Sequence, residues 1–150
     1  MAPMAETKVT LLKCEIATSG LLRIDQIGSG VGVILYSPSH KTAAGLHILA
    51  PHSGSHASKN PVMYADTAIP YVMAELGRKG VRPPLSVAIA GGAALLKRQA
   101  DSGGSQLLQL VEAVKEALKR ANLSVKIEET GGTQIRSITL NIDEGKIRVA

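Results

Sequence analysis

The stretch "IDQIGSGVGVILY", residues 24–36, decides how this chain is read. Its centre, Gly28-Ser29-Gly30, stands just before an apolar run rich in β-branched residues. Glycines in such a place let the backbone come close to something, because no Cβ stands in the way. A phosphate is the first candidate. A dinucleotide fingerprint needs G-x-G-x-x-G between a strand and a helix. Here the pattern is G-x-G-x-G and a strand follows, so no helix N-terminus is offered to an anion. A Walker pattern is absent as well. The glycines call for another partner, and one of them stands where a reactive side chain would be useful.

The rest of the chain limits what that partner is. With 150 residues the chain fits one domain, 1–150, with residues 1–6 as a loose tail. That length buries a core without staples. Phe and Trp are absent, so Val, Ile, Leu, Ala and Met must build the core. Only Tyr36, Tyr64 and Tyr71 can stack on a base, which argues against nucleic acid. The net charge of +5 is scattered and favours acidic partners in general. A single cysteine, Cys14, excludes an intrachain disulfide and a multi-cysteine zinc site. Within "TLLKCEIAT" it reads as a small buried hydrophobe rather than a reactive thiol. The first ten residues contain no signal-like apolar stretch, and no window is long enough to enter a membrane. A cytoplasmic protein is expected.

Periodicity supplies the elements. Residues 7–17, 21–27, 31–36 and 43–49 read as strands, the last two as a hairpin. Residues 64–79 read as a helix with Ile69, Val72, Met73 and Leu76 on one face, although Pro70 makes its start uncertain. Residues 85–90 form an apolar strand that ends at Gly91-Gly92. "KRQADSGGS" reads as a mobile polar connection. Residues 105–122 give the clearest helix, with Leu107, Leu110, Val111, Val114 and Leu118 in one stripe. Strands at 125–129, 136–142 and 146–149 follow, the last two joined through Asp143-Glu144-Gly145. The sum is an α+β domain: seven or eight strands, mostly antiparallel, and two main helices packed outside them.

Four histidines are candidates for chemistry. His40 lies in a turn, and His52 and His56 are four apart around Ser-Gly-Ser, where no helix is expected. Zinc would need a third ligand, so the plain reading of this pair is a solvated loop. His47 sits inside the apolar strand "GLHIL". It is either a satisfied core residue or an imidazole held beside the glycine turn as a base.

The motifs in order are Gly28-Ser29-Gly30-Val31, then Gly45-Leu46-His47-Ile48-Leu49-Ala50-Pro51, then Tyr64-Ala65-Asp66, then Gly91-Gly92-Ala93, then Gly131-Gly132 with Arg136. This order resembles the CheD family, the chemoreceptor glutamine deamidases of bacterial chemotaxis. The resemblance covers residues from about 8 to 149. It implies a layered β-sandwich flanked by helices. It also implies a cysteine thiolate that attacks a glutamine carboxamide, a histidine that moves the proton, and a threonine that orients the histidine. Carried over, the family histidine falls on His47, its cysteine on Gly30 and its threonine on Ile24. Two of the three catalytic side chains are absent. A further departure is "LLKRQADSGGSQLL", which lacks the family's IG-x-x-N pattern.

The leading expectation is a CheD-like protein without cysteine-based deamidase activity. It would act by binding chemoreceptor cytoplasmic helices or a CheC-type phosphatase, with no cofactor and no metal. The alternative is an active amidohydrolase in which Ser29 attacks and His47 is the base, with Thr18 or Ser19 as orienter. A third reading is a structural module of unknown partner.

Overall fold

The computed structural model describes residues 5–53, 60–95 and 105–150. Among these residues nine strands and two helices follow one another in chain order. β1 is Glu6–Val9, β2 Cys14–Ala17, β3 Leu21–Ile27, β4 Val31–Ser37 and β5 Thr42–Ile48. A short 3₁₀ turn, Pro61–Met63, leads into α1, Ala65–Arg78. β6 is Ser86–Gly91, α2 is Ser105–Arg120, and β7 Val125–Thr130, β8 Arg136–Asn141 and β9 Lys146–Val149 follow. The fold is α+β, as the periodicity predicts.

The strands form two sheets, in the orders β1-β3-β8-β9 and β2-β5-β4-β6-β7. Most pairings are antiparallel; β1 with β3 and β6 with β7 are parallel. β4 and β5 are buried at every position. Alternation then sends successive side chains into two different cores. Val31, Val33, Leu35, Leu46 and Ile48 join the core under α1 and α2. Ile34 and Tyr36 join the second core, where they meet Ile24, Ile27, Ile138 and Leu140 of the four-stranded sheet. The layers are therefore sheet, sheet and helices, with the β4–β5 hairpin in the middle.

The approach of the two sheets depends on Gly32 and Gly45. A Cβ at Gly32 would lie 2.6 Å from Ile27 Cδ1 and 3.3 Å from Ile24 Cγ2. One at Gly45 would lie 2.8 Å from Val9 Cγ2. Both glycines are on the inner face of the middle sheet, and the large aliphatics of the facing sheet occupy the room they leave.

Three sequence readings are corrected. Residues 7–17 are two strands in different sheets, not one. The chain crosses between layers at residues 10–13, where Leu12 takes φ +66° and Lys13 N–H donates to the Thr10 carbonyl. "TLLK" contains neither Gly nor Pro, so propensity sees no turn there. Among the described residues the strands number nine rather than seven or eight. Pro70 is exposed and lies in the second turn of α1, within the first two turns where a proline is tolerated. β1 opens at Glu6, and residues 1–4 of the expected tail lie outside the described residues. The expected polar connection before α2 also lies largely outside them. Among the described residues, no helix is long and apolar enough to cross a membrane.

The glycines differ sharply in what they protect. Gly91 has φ +129°, and a Cβ there would run into the Gly30 carbonyl oxygen. Gly77, near the end of α1, has nothing within 4 Å of the same position. Gly91→Ala is expected to cost about 3 kcal/mol or more, from clash and backbone strain together. Gly77→Ala is expected to gain about 0.5–1 kcal/mol by lowering the entropy of the unfolded chain. Urea unfolding of the two variants checks this, and similar midpoints for both would contradict it.

Candidate functional site

The glycine motifs found along the sequence meet at one end of the sandwich, and what approaches them is the chain itself. Gly92 N–H donates to the Gly30 carbonyl at 2.9 Å, and Ala93 N–H to the Gly28 carbonyl at 3.0 Å. Ala94 N–H donates to the Gly132 carbonyl at 2.8 Å, and Gly131 N–H to the Gly91 carbonyl at 3.0 Å. Arg136 donates from Nη1 to the Gly131 carbonyl at 2.8 Å and reaches the Gly91 carbonyl at 3.4 Å. Three loops distant in sequence are thereby stitched together by backbone groups. Gly91 and Gly92 take φ of +129° and +67°, conformations that side chains resist. The stitching fixes the path of residues 28–30 as they enter β4.

His47 is held from the other side. It pairs opposite Gly32 in the β4–β5 ladder. Its carbonyl accepts from Leu12 N–H at 2.9 Å, and its own N–H donates to the Lys13 carbonyl at 3.3 Å. The crossover between the sheets thus grips the backbone of His47. Its ring lies on the inner face of the middle sheet, 4% exposed. A Cβ built at Gly30 would lie 3.2 Å from His47 Nε2 and 2.8 Å from the Ile48 carbonyl oxygen. Position 30 therefore abuts the imidazole, and the backbone of β5 crowds it.

Ile24 belongs to the same neighbourhood. It is fully buried, and its Cδ1 lies 3.4 Å and 3.6 Å from where Cβ atoms of Gly32 and Gly45 would be. Those two glycines flank His47, one across the ladder and one two residues earlier on its strand. Position 30 thus abuts His47, while Ile24 packs against the two glycines that flank His47. The chemistry of the trio is incomplete: His47 Nδ1 is buried without a hydrogen-bond partner.

Ser29 is half-buried and lines the cleft beside these residues. Among the described residues no hydrogen bond joins it to His47. Thr18 and Ser19 are misplaced for an orienting role. β2 runs antiparallel to β5 with Ala17 opposite Ala43, so these residues lie at the far end of the sheet from His47. Four residues of strand separate the two ends, roughly 13 Å. Cys14 pairs with Leu46 and packs into the helix-side core, on the opposite face from His47. Burial, and then Glu15 and Glu75, push its thiol up to about 11, which keeps it protonated and inert.

The cleft itself has a volume of about 440 Å³. Besides Gly28, Ser29, Gly30, His47 and Leu49, it is lined by residues no motif marks, among them Thr10, Leu11, Asp25, Gln26 and Leu95. Leu11, Leu49 and Leu95 are among the chain's exposed large apolar side chains, at 49%, 40% and 44%. They come from three separate loops or strand ends, so only the tertiary fold gathers them. Asp66, singled out at the helix start, does not line this cleft. Its carboxylate accepts from Ser53 N–H at 3.1 and 3.2 Å and from Ser53 Oγ at 3.2 Å, tying down the loop after β5. Of the His52–His56 pair, His56 lies outside the described residues. Among the described residues no group of three or more His, Cys, Asp and Glu is placed to hold a metal.

Comparison with known proteins gives the family. A model of the CheD family, described as CheD chemotactic sensory transduction, matches residues 49–150. A probable chemoreceptor glutamine deamidase CheD of Methanococcus vannielii is 37% identical over 124 residues, covering 82% of this chain and 80% of its own. The chemoreceptor glutamine deamidase CheD of Thermotoga maritima is also 37% identical over 124 residues, covering 82% and 76%. A probable CheD of Caldanaerobacter subterraneus is 32% identical over 149 residues and covers 97% of this chain, a span that must include residues 24–47. The chain belongs to the CheD family and has a CheD-like chemotaxis function.

Burial lowers the pKa of His47 below its ordinary value of 6.5, so the ring is neutral at pH 7. The sign of the linked stability effect follows. Below about pH 6.5 the unfolded chain takes up a proton that the folded ring resists. Stability is therefore expected to be flat in this respect above that pH and to fall as the pH drops toward the lowered folded value. Urea unfolding at pH 7.5 and 5.5, for wild type and His47→Leu, measures the effect. The variant should lose less stability than wild type between the two pH values, and an equal loss would remove His47 as its source.

Proposed function

We propose that this chain works in chemotaxis as a binding member of its family, one without cysteine-based deamidase activity. The observation that carries the reading is glycine at position 30, abutting His47 Nε2. Thioester chemistry needs a sulfur there, and glycine has no side chain to supply one. The apolar surround of His47 Nδ1 supports the same reading, since an imidazole without an orienting partner is a poor base. The relatives are named as deamidases of chemoreceptor glutamines. The retained cleft, with its neutral histidine and apolar rim, is suited to the same kind of surface. The partner in this reading is the cytoplasmic helical part of a chemoreceptor, or a CheC-type phosphatase presenting a similar face, and the protein acts in the cytoplasm. The net charge of +5 favours acidic helices. A hydrolase built on Ser29 has less support, because the hydroxyl makes no hydrogen bond to His47 among the described residues.

Two measurements test this. Wild type should release no ammonia above buffer from a receptor cytoplasmic fragment. Gly30→Cys alone should give little, because its Cβ must displace the Ile48 carbonyl and the imidazole stays unoriented. Adding Ile24→Thr supplies a hydroxyl near the orphaned Nδ1 and should raise the rate by about tenfold or more. Equal rates for the single and double variants would remove position 24 from the orienting role, and a wild-type rate abolished by His47→Ala would overturn the loss of activity.

Calorimetry should find wild type binding the receptor fragment or a CheC-type protein with modest affinity that weakens with salt, as exposed charges are screened within about 8–10 Å at 0.1–0.15 M. Gly30 is too crowded for a bulky blocking residue, so the rim is the place to perturb. Leu49→Asp, at an exposed position, should weaken binding by about tenfold without changing the unfolding midpoint. Unchanged affinity in the folded variant would move the interaction elsewhere.

A further inference from the structure

Positive charge collects at the end of the sandwich opposite the cleft. The β4–β5 turn and the starts of β6 and β7 lie there, because Tyr36 pairs with Ser86 and Val87 with Val125. The β8–β9 turn joins them, with Gly145 against the Tyr36 ring. α1 starts beside Ala50, α2 starts beside Gly92, and both run away from the cleft to end just before β6 and β7. Lys41, Lys79, Arg82, Lys119 and Lys126 are exposed at that end. Among the described residues none of them meets a carboxylate, and Lys41 donates to the Asp143 backbone carbonyl at 3.0 Å.

The carboxylates of this end are already engaged. Glu75 is held by Arg78, Glu116 by Arg120 at 3.4 Å and Glu144 by Lys146 at 3.8 Å. Asp143 accepts from Gly20 N–H at 3.2 Å, and Glu6, at the start of β1, pairs with Arg23 at 3.1 Å. Over the rest of the described residues cations and carboxylates are nearly equal in number, so the excess positive charge belongs to this end. Helix ends account for part of it, since Lys79 and Lys119 complement the negative C-termini of α1 and α2. Lys41, Arg82 and Lys126 lie on a turn, a loop and a strand, where no helix dipole calls for them. Lys41 and Lys126 share a hollow of about 400 Å³ with Ser86.

The chemistry of the patch selects its occupant. The exposed large apolar side chains among the described residues are elsewhere: Leu11, Leu49, Leu95, Leu108 and Ile135 toward the cleft end, and Tyr71 midway along α1. A folded protein partner would want an apolar centre to its interface, and this end offers none. The cations come from the tips of separate elements that stop at one level, so they form a plane rather than a ridge to enter a groove of a duplex. A layer of lipid headgroups is planar and attracts Lys and Arg by charge alone.

We propose that this end docks on a membrane surface bearing anionic lipid headgroups, by electrostatics and without insertion. The cleft is then turned away from the bilayer and stays open to a partner. The inference is independent of what the cleft binds.

Vesicle co-sedimentation at low salt tests it. Wild type should sediment with phosphatidylcholine vesicles that contain about 30% phosphatidylserine and stay in solution with phosphatidylcholine alone. About 0.5 M salt should release it. Arg82→Gln with Lys126→Gln should weaken binding by about tenfold or more. Lys13→Gln with Arg148→Gln removes the same charge from other parts of the surface and should change binding by less than about twofold. All four side chains are exposed, so the urea midpoints of both variants should match wild type. Equal losses in the two variants would show a response to net charge alone and overturn the inference. Failure of wild type to bind the anionic vesicles would overturn it too. A DNA duplex bound more tightly than the vesicles, and lost in the Arg82 and Lys126 variant, would assign the end to nucleic acid instead. Each of these results leaves the reading of the cleft standing.

Discussion

Two missing side chains set how near the sheets come. At Gly32 and Gly45 the middle sheet has only backbone, and Ile24, Ile27 and Val9 of the facing sheet press into that room. A methyl group at either glycine would meet a packed aliphatic at under 3 Å. Interiors of this density accommodate extra volume poorly. The spacing decides the rest. It buries both faces of the β4–β5 hairpin, places Ile24 over the neighbours of His47, and leaves the imidazole with one open side, toward the cleft.

That arrangement holds the end of the sandwich around position 30 without help from a side chain there. The scaffold around position 30 consists of backbone hydrogen bonds that join Gly28 and Gly30 to Ala93 and Gly92, and Gly91 and Ala94 to Gly131 and Gly132, with Arg136 across two of the carbonyls. None of these bonds requires the residue at position 30 to have a side chain. Glycine at position 30 is therefore compatible with the fold. Isoleucine at position 24 adds aliphatic contact in the sheet-to-sheet core, where a hydroxyl would need a partner. Among the described residues His47 Nδ1 is buried without a hydrogen-bond partner, as is Arg23 Nε. Burial keeps the His47 ring neutral at pH 7.

Much of the fold was legible in the sequence because its signals are local. The apolar stripe of residues 105–122 gave α2, and the alternating runs gave most of the strands. The break at residues 10–13 was not legible. It contains no turn residue, and its cause is the distant backbone of His47, to which Leu12 and Lys13 bond. The parallel pairings of β1 with β3 and β6 with β7 were invisible for the same reason, since pairing partners are not written in either strand alone.

For the site, the sequence by itself determined the residue inventory: histidine at 47, glycine at 30, isoleucine at 24, and the order of motifs that points to the family. Inventory follows from covalent order, so no fold was needed to know that position 30 carries no sulfur. Tertiary structure alone decided proximity and exposure. It put position 30 against Nε2, Cys14 on the wrong face, and Thr18 and Ser19 at the wrong end. It also gathered Lys41, Arg82 and Lys126, scattered along the chain, at the end opposite the cleft. The physical reason is that distance between residues far apart in the chain is set by sheet register and layer packing, and both arise from contacts summed over the whole domain.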